Sequence, residues 1–181
     1  VTEHPEQHRK LWLENLVRDN NFTVGAEIGV HEGVTYFHLI DTFPHLKMYG
    51  VDPYKYQMEK QWPGMRKQLT LRGWPNNPKT TFLKMTSDNA CREVRPFTLD
   101  FVFIDALHSK WAVYNDIRLW YNKVRPGGYI IGHDYSKKGV YKAVKLYFEE
   151  NWFELNPNGP KAPKVKVPKW DDLWYVQKPD G

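Results

Sequence analysis

Apolar and polar positions change rhythm repeatedly along this chain. A partly apolar face at Leu11, Trp12, Asn15, Leu16 and Asp19 has helical spacing and opens it. The short apolar run Val24–Ile28 then reads as a strand, and residues 34–42 as a crossover helix. Lys47–Val51 is a second strand ending at Asp52-Pro53. Residues 57–71 are helix-prone, with an interruption at Pro63-Gly64. Residues 80–84 read as a third strand and 87–94 as a short helix. Leu99–Ile104 is a continuous apolar run of the kind covered on both faces in a parallel sheet. Residues 110–124 form the longest amphipathic pattern, with Tyr114, Ile117, Tyr121 and Val124 at helical spacing. Arg125-Pro126-Gly127-Gly128 has helix-terminating chemistry and precedes a fifth strand at 129–132. A helix at 139–150 follows. Residues 152–155 and 173–177 read as a closing hairpin, joined by a Pro- and Lys-rich loop over 156–169. This alternation predicts one α/β domain: a Rossmann-like, doubly wound, mostly parallel sheet with a C-terminal antiparallel hairpin.

The turn after the first strand carries the first chemical signal. In Glu27-Ile28-Gly29-Val30-His31-Glu32-Gly33, two glycines bracket a strand-to-helix turn. Glycine lets the backbone approach a ligand closely. Glu27 lies near the strand's carboxyl end, where open α/β sheets bind ligands. A carboxylate there favours hydroxyls or an ammonium over a pyrophosphate. The dinucleotide pattern G-x-G-x-x-G fails at His31, and no phosphate-cradling G-x-x-x-x-G-K occurs.

Composition narrows the setting. The 181 residues suit one domain with a real core. Val1 opens the chain, which reads as a processed protein or a domain cut from a longer, multi-domain one. No stretch is apolar for the roughly 18 residues that a membrane span needs, and the start lacks the pattern of a signal peptide. A soluble, cytoplasmic domain is the expectation. The lone Cys91 has no internal disulfide partner and reads as a small packed side chain. Net charge is +5, with Lys161, Lys164, Lys166 and Lys169 set among prolines. That segment reads as a solvated loop and not as a nucleic-acid arm, since it lacks regular basic–aromatic interleaving.

Acids, hydroxyls or histidines follow five successive strands: Glu27, then Asp52, then Thr86, Ser87 and Asp88, then Asp105 and His108, then His133 and Asp134. One such residue is ordinary loop composition; a full edge of them points to a site. Asp52 stands where a carboxylate can accept both hydroxyls of a ribose, or simply cap a helix. Ser87 and Asp88 suit an adenine edge or a helix start.

Here a family resemblance enters. Glu27-x-Gly29-x-x-x-Gly33 resembles the first motif of class I S-adenosylmethionine-dependent methyltransferases. Ile104-Asp105-Ala106-Leu107-His108 and Pro126-Gly127-Gly128-Tyr129-Ile130-Ile131-Gly132-His133-Asp134-Tyr135 resemble the subgroup of catechol-type and macrolide-sugar O-methyltransferases. The resemblance covers roughly residues 24–150. It implies a seven-stranded sheet, S-adenosylmethionine as donor and an oxygen acceptor. It further implies that Glu27, Gly29 and Gly33 frame the methionine part of the donor, Asp52 its ribose, and Ser87 with Asp88 its adenine. Asp105, also a candidate to bind the donor, and Asp134 would match acids that bind a divalent cation such as Mg²⁺ in metal-using relatives. His108 would lie over the acceptor. The pair after the fifth strand is His133-Asp134, where those relatives carry two acids or an acid and an amide.

Methyl transfer needs in-line placement of an acceptor oxygen and removal of its proton. Either a histidine base does this, with His108 or His133 held by Asp105 or Asp134, or a cation lowers the hydroxyl's pKa. Asp52-Pro53-Tyr54 is similar to an element of amino-group DNA methyltransferases but follows the wrong strand. Tyr141-x-x-x-Lys145 is similar to a dehydrogenase pair but lacks its glycine turn. Aromatic content of 15% suits a sugar or glycan acceptor. A small phenol or natural product is the alternative acceptor, and a non-catalytic interaction domain with a cofactor pocket the alternative class.

Overall fold

The computed structural model describes residues 5–168 and 172–180; Lys169 of the basic loop lies outside them. Helices α1 (Pro5–Asp19), α2 (Val34–Thr42), α3 (Trp62–Leu71), α4 (Ser87–Glu93), α5 (Lys110–Tyr121), α6 (Lys138–Lys145) and α7 (Trp152–Leu155) alternate with strands. The strands are β1 (Val24–Ile28), β2 (Lys47–Val51), β3 (Thr80–Leu83), β4 (Leu99–Ile104), β5 (Val124–Gly132) and β6 (Trp174–Gln177). Their order is β3-β2-β1-β4-β5-β6, parallel except for antiparallel β6. The order reverses between β1 and β4, which opens a crevice at their carboxyl ends.

Alternate residues of the central strands feed two cores. Ala26, Ile28, Val102, Ile104 and Ile130 pack with Val113, Ile117, Trp120 and Val144 from α5 and α6. Met48, Phe101, Phe103 and Ile131 pack with Leu13, Val17, Leu39 and Leu69 from α1, α2 and α3. The doubly wound α/β class is thus as expected.

Five details differ from the sequence expectation. The sheet has six strands among the described residues, where the family resemblance implied seven. Residues 152–155 are helical and not a hairpin arm, because Trp152 is buried against Tyr121 and Phe148 and its Nε1 donates to the Pro160 carbonyl at 2.9 Å. A four-residue apolar run cannot distinguish strand from helix. In place of the missing strand stands one antiparallel bridge, Lys166 to Tyr175. The amphipathic helix stops at Tyr121, and Val124 opens β5. Between Leu99↔Val124 and Phe101↔Tyr129 the register slips, so β5 bulges through Arg125-Pro126-Gly127-Gly128 and Pro126 is never asked for an amide hydrogen. On α1 the packed face is Leu13 and Val17, flanked by Trp12 and Leu16, while Leu11 and Asn15 are exposed. Pro63 lies in the first turn of α3 and starts that helix instead of breaking it.

Asp100 interrupts the apolar run of β4 for a structural reason. Its Oδ2 accepts the amides of Thr23 and Val24, at 2.6 and 2.9 Å, and its Oδ1 accepts Arg125 Nε at 2.7 Å. It clamps the sheet's amino end.

Asp116 on α5 is a second buried acid, bonded to the Ser87 hydroxyl at the start of α4. Burial pushes its carboxyl up to about 6, with Asp88 adding to the rise and the Ser87 bond opposing it. The fold therefore favours the neutral form, an advantage that is full below the unfolded value of about 3.9 and lost as pH rises through the folded one. Asp116→Asn keeps a neutral polar group at every pH. Urea unfolding near pH 7.5 is expected to show a gain on the order of 2 kcal/mol over the parent, shrinking toward zero near pH 4.

Candidate active site

The carboxyl edge of the sheet gathers backbone strain. Of six non-glycine residues with positive φ among those described, His31, Tyr54, Tyr56 and Asp134 lie there. Gly29 and Gly33 add φ values of +90° and +80°. A Cβ on Gly29 would stand 2.3 Å from the Asp105 carbonyl oxygen, so the loops after β1 and β4 touch through a glycine. Such conformations persist where surrounding contacts over-determine them.

Asp52 supplies those contacts. Its Oδ2 accepts the His31 amide at 3.0 Å and its Oδ1 the Tyr54 amide at 2.9 Å. The Tyr54 hydroxyl donates back to the His31 carbonyl. Asp52 is buried, yet each carboxylate oxygen keeps a lone pair.

Glu27 is 3% exposed, and its Oε2 has no hydrogen-bond partner. Burial drives its carboxyl well above the carboxylate range; the charges of Asp105 and Asp52 push the same way and that of Arg9 opposes them. An orphaned buried oxygen beside a glycine turn fits a ligand that brings a donor or a positive charge.

The residues after β4 and β5 converge. His108 Nε2 lies 2.6 Å from Asp134 Oδ2, and Lys137 Nζ lies 3.0 Å from the same oxygen and 3.2 Å from His108 Nδ1. An ammonium can only donate, so the partners assign the lone pair to Nδ1 and the N–H to Nε2. His133 Nδ1 is 3.5 Å from Asp134 Oδ1 and 3.9 Å from Asp105 Oδ1, the latter a charge contact only. Burial raises the Asp134 carboxyl, but the Lys137 bond and the charges of His108, His133 and Lys137 outweigh it and hold it below its usual range. Ser109, not His108, caps α5, with its hydroxyl accepting the Ala112 amide.

Ser87 and Asp88 open α4. The Ser87 hydroxyl accepts Trp120 Nε1 at 2.8 Å and bonds Asp116. Asp88 is exposed, its carboxyl lowered chiefly by the Thr86 hydroxyl. Cys91 is buried, and its thiol donates to the Asp88 carbonyl.

The sequence pattern missed Arg9. From α1 it reaches Asp105 Oδ2 at 3.0 Å, with its guanidinium over the Phe103 ring. Asp105, His108 and Asp134 offer ligand atoms within 4.8 Å of one another. Both carboxylates, however, already hold cations, Arg9 on Asp105 and Lys137 on Asp134. Mg²⁺ demands a tight octahedron of oxygens, so the cluster as arranged does not fit it. The basic loop behaves as expected where described: Lys161, Lys164 and Lys166 are exposed. Among the described residues no helix is long and apolar enough to cross a membrane.

Solved structures share the fold. A Staphylococcus aureus protein assigned as a caffeoyl-CoA O-methyltransferase superposes with a TM-score of 0.68 at 13% identity, over 98% of this chain and 85% of its own. A TDP-rhamnose 3′-O-methyltransferase of calicheamicin biosynthesis gives 0.70 at 11% identity, over 94% and 79%. The S-adenosylhomocysteine-bound methyltransferase PaMTH1 of Podospora anserina gives 0.66 at 13%, over 95% and 78%. At such identities the likeness is one of fold. No curated protein matches the chain in sequence. The sequence model of a family described as "Methyltransferase domain" matches residues 26–135, from the middle of β1 to just beyond Asp134. That match spans more than half of the 181 residues, and the chain therefore belongs to the methyltransferase-domain family, with the class I fold.

Proposed function

We propose that the chain is an S-adenosylmethionine-dependent O-methyltransferase acting on a hydroxyl of a sugar or glycan. The observation that carries this reading is the His108–Asp134 pair at 2.6 Å, on the same sheet edge as the Glu27–Gly29–Gly33 turn. When bound, S-adenosylmethionine supplies a methyl group already activated on a sulfonium.

Glu27 would take the positively charged methionine end, since its orphaned oxygen lacks a donor. Gly29 and Gly33 allow the close approach. Asp52, through its spare lone pairs, would accept the ribose hydroxyls. Ser87 and Asp88 would border the adenine, with Asp88 the freer of the two. His108 would remove the acceptor's proton through Nδ1, while Asp134 holds Nε2–H and stabilises the imidazolium, as in other Asp-oriented histidine bases. Lys137, beside Nδ1, would stabilise the oxyanion that develops. His133 and Asp105 lie beside this pair and would contribute to the same cluster of charges.

Support for a sugar comes from exposed apolar side chains close to His108 in the chain. Leu107 and Trp111, 72% and 62% exposed, flank His108 in sequence and offer an apolar, aromatic platform. The fold-similar TDP-rhamnose enzyme methylates a sugar, whereas the Staphylococcus aureus protein favours the phenolic reading.

Calorimetric titration with S-adenosylhomocysteine and with NAD tests the donor; only the former is expected to bind. Radiolabelled methyl transfer to a panel of sugars, glycans and catechols tests the acceptor, and transfer to catechols alone would replace the sugar reading. His108→Ala is expected to lower kcat about 10²–10⁴-fold with S-adenosylhomocysteine affinity unchanged; full activity would remove His108 from the base role. Because burial raises the Glu27 carboxyl in the free chain, a cationic ligand bound beside it favours the ionised form. Affinity should rise with pH through the range in which Glu27 loses its proton, by up to tenfold per unit, and Glu27→Gln should flatten that slope.

A further inference from the structure

We infer that Arg9 is a built-in cation that takes the place of a divalent metal ion in the Asp105–His108–Asp134 cluster and holds Asp105 in position there. This rests on the methyltransferase reading for its purpose but not for its geometry.

The cluster has the donor set of a metal site, with two carboxylates and an imidazole within 4.8 Å of one another. Its charges are nonetheless balanced from within. Arg9 Nη1 bonds Asp105 Oδ2 at 3.0 Å, and Lys137 Nζ bonds Asp134 Oδ2 at 3.0 Å. Two negative charges face two positive ones, so a divalent ion would enter a site that offers it no net attraction. It would also have to displace the cation on each carboxylate.

Arg9 is placed for this task. It comes from a helix 96 positions away in sequence, and its side chain is only 14% exposed. The guanidinium lies 5.9 Å from the centre of the Phe103 ring. Leu13 and Val17, one and two turns further along α1, are wholly buried in the core, and Glu14 pairs with His38 of α2 at 2.9 Å. The helix therefore cannot slide to withdraw the arginine. Arg9 Nε is buried without a partner, a cost that an ordinary surface ion pair avoids. Arginine also stays charged at any working pH and presents a planar fork that matches a carboxylate. Held this way, the other oxygen of Asp105 stands 3.9 Å from both His108 Nε2 and His133 Nδ1, between the two imidazoles. Arg9 is thus a positioning residue that acts through Asp105.

The test is Mn²⁺ binding to the full chain, followed by the electron paramagnetic resonance of the free ion, with S-adenosylhomocysteine binding measured by calorimetry on the same samples. The wild type and Arg9→Lys are expected to leave Mn²⁺ free. Arg9→Met, which removes the charge and keeps the bulk, is expected to bind one Mn²⁺ at least tenfold more tightly, and to lose it in Arg9→Met/Asp105→Asn. Three results would overturn the inference: tight wild-type binding that Asp105→Asn abolishes, no gain in folded Arg9→Met, or an equal gain in Arg9→Lys. Should Arg9→Met fail to fold, the wild type against Asp105→Asn decides alone, tight Asp105-dependent binding refuting the inference and its absence upholding it. Failure of the wild type to bind S-adenosylhomocysteine would count against the methyltransferase reading and leave the Mn²⁺ result standing.

Discussion

Three carboxylates, Glu27, Asp52 and Asp105, crowd one poorly hydrated edge of the sheet, and much of the surrounding structure answers that crowding. Like charges at close range in low dielectric cannot all stay ionised without partners. Each acid is relieved differently. Burial drives the Glu27 carboxyl upward, toward its neutral form. Asp52 spends its charge on two backbone amides, which fixes the strained turn at His31 and Tyr54. Asp105 takes a guanidinium from a distant helix. Asp134, one strand further on, is relieved by Lys137 and His108. The result is an edge whose polar groups are set before a ligand arrives, the arrangement that electrostatic catalysis requires.

The two ends of β4 show how one residue type serves opposite purposes. Asp100 at the amino end is saturated by two amides and Arg125, and nothing there is left for a ligand. Asp105 at the carboxyl end holds one cation and faces two imidazoles. Stability is concentrated at one end and reactive groups at the other, as parallel sheets allow because their loops leave from opposite edges.

Much of this was legible in the sequence. Strand-ending acids mark the edge, since period-two apolar runs stop where the sheet does, and the structure brings Asp105, His108, His133 and Asp134 together from two separate loops. The failures have physical causes. Trp152 packs by aromatic contacts that no local pattern encodes. The glycines after Val124 looked like a helix stop but allow a bulge in a strand whose pairing is non-local. Arg9 was invisible because its partner lies 96 residues away and a single arginine on a helix carries no periodic signal. The full side-chain occupancy of Ser87 likewise depends on Trp120, a residue of another helix.

The lone Lys166–Tyr175 bridge has a consequence for how the molecule meets its neighbours. Two reciprocal amide–carbonyl bonds, each 2.9 Å, attach the loop to the outer side of β6. Pro168, two residues on, is the next that would pair on that side, opposite Leu173, and it has no amide hydrogen with which to extend the ladder. The ladder is arrested after one rung. A strand border that would otherwise template the addition of further chains is thereby blunted, with exposed lysines repelling copies of itself. Among the described residues, the outer edge of the sheet thus carries a single rung in place of a seventh strand.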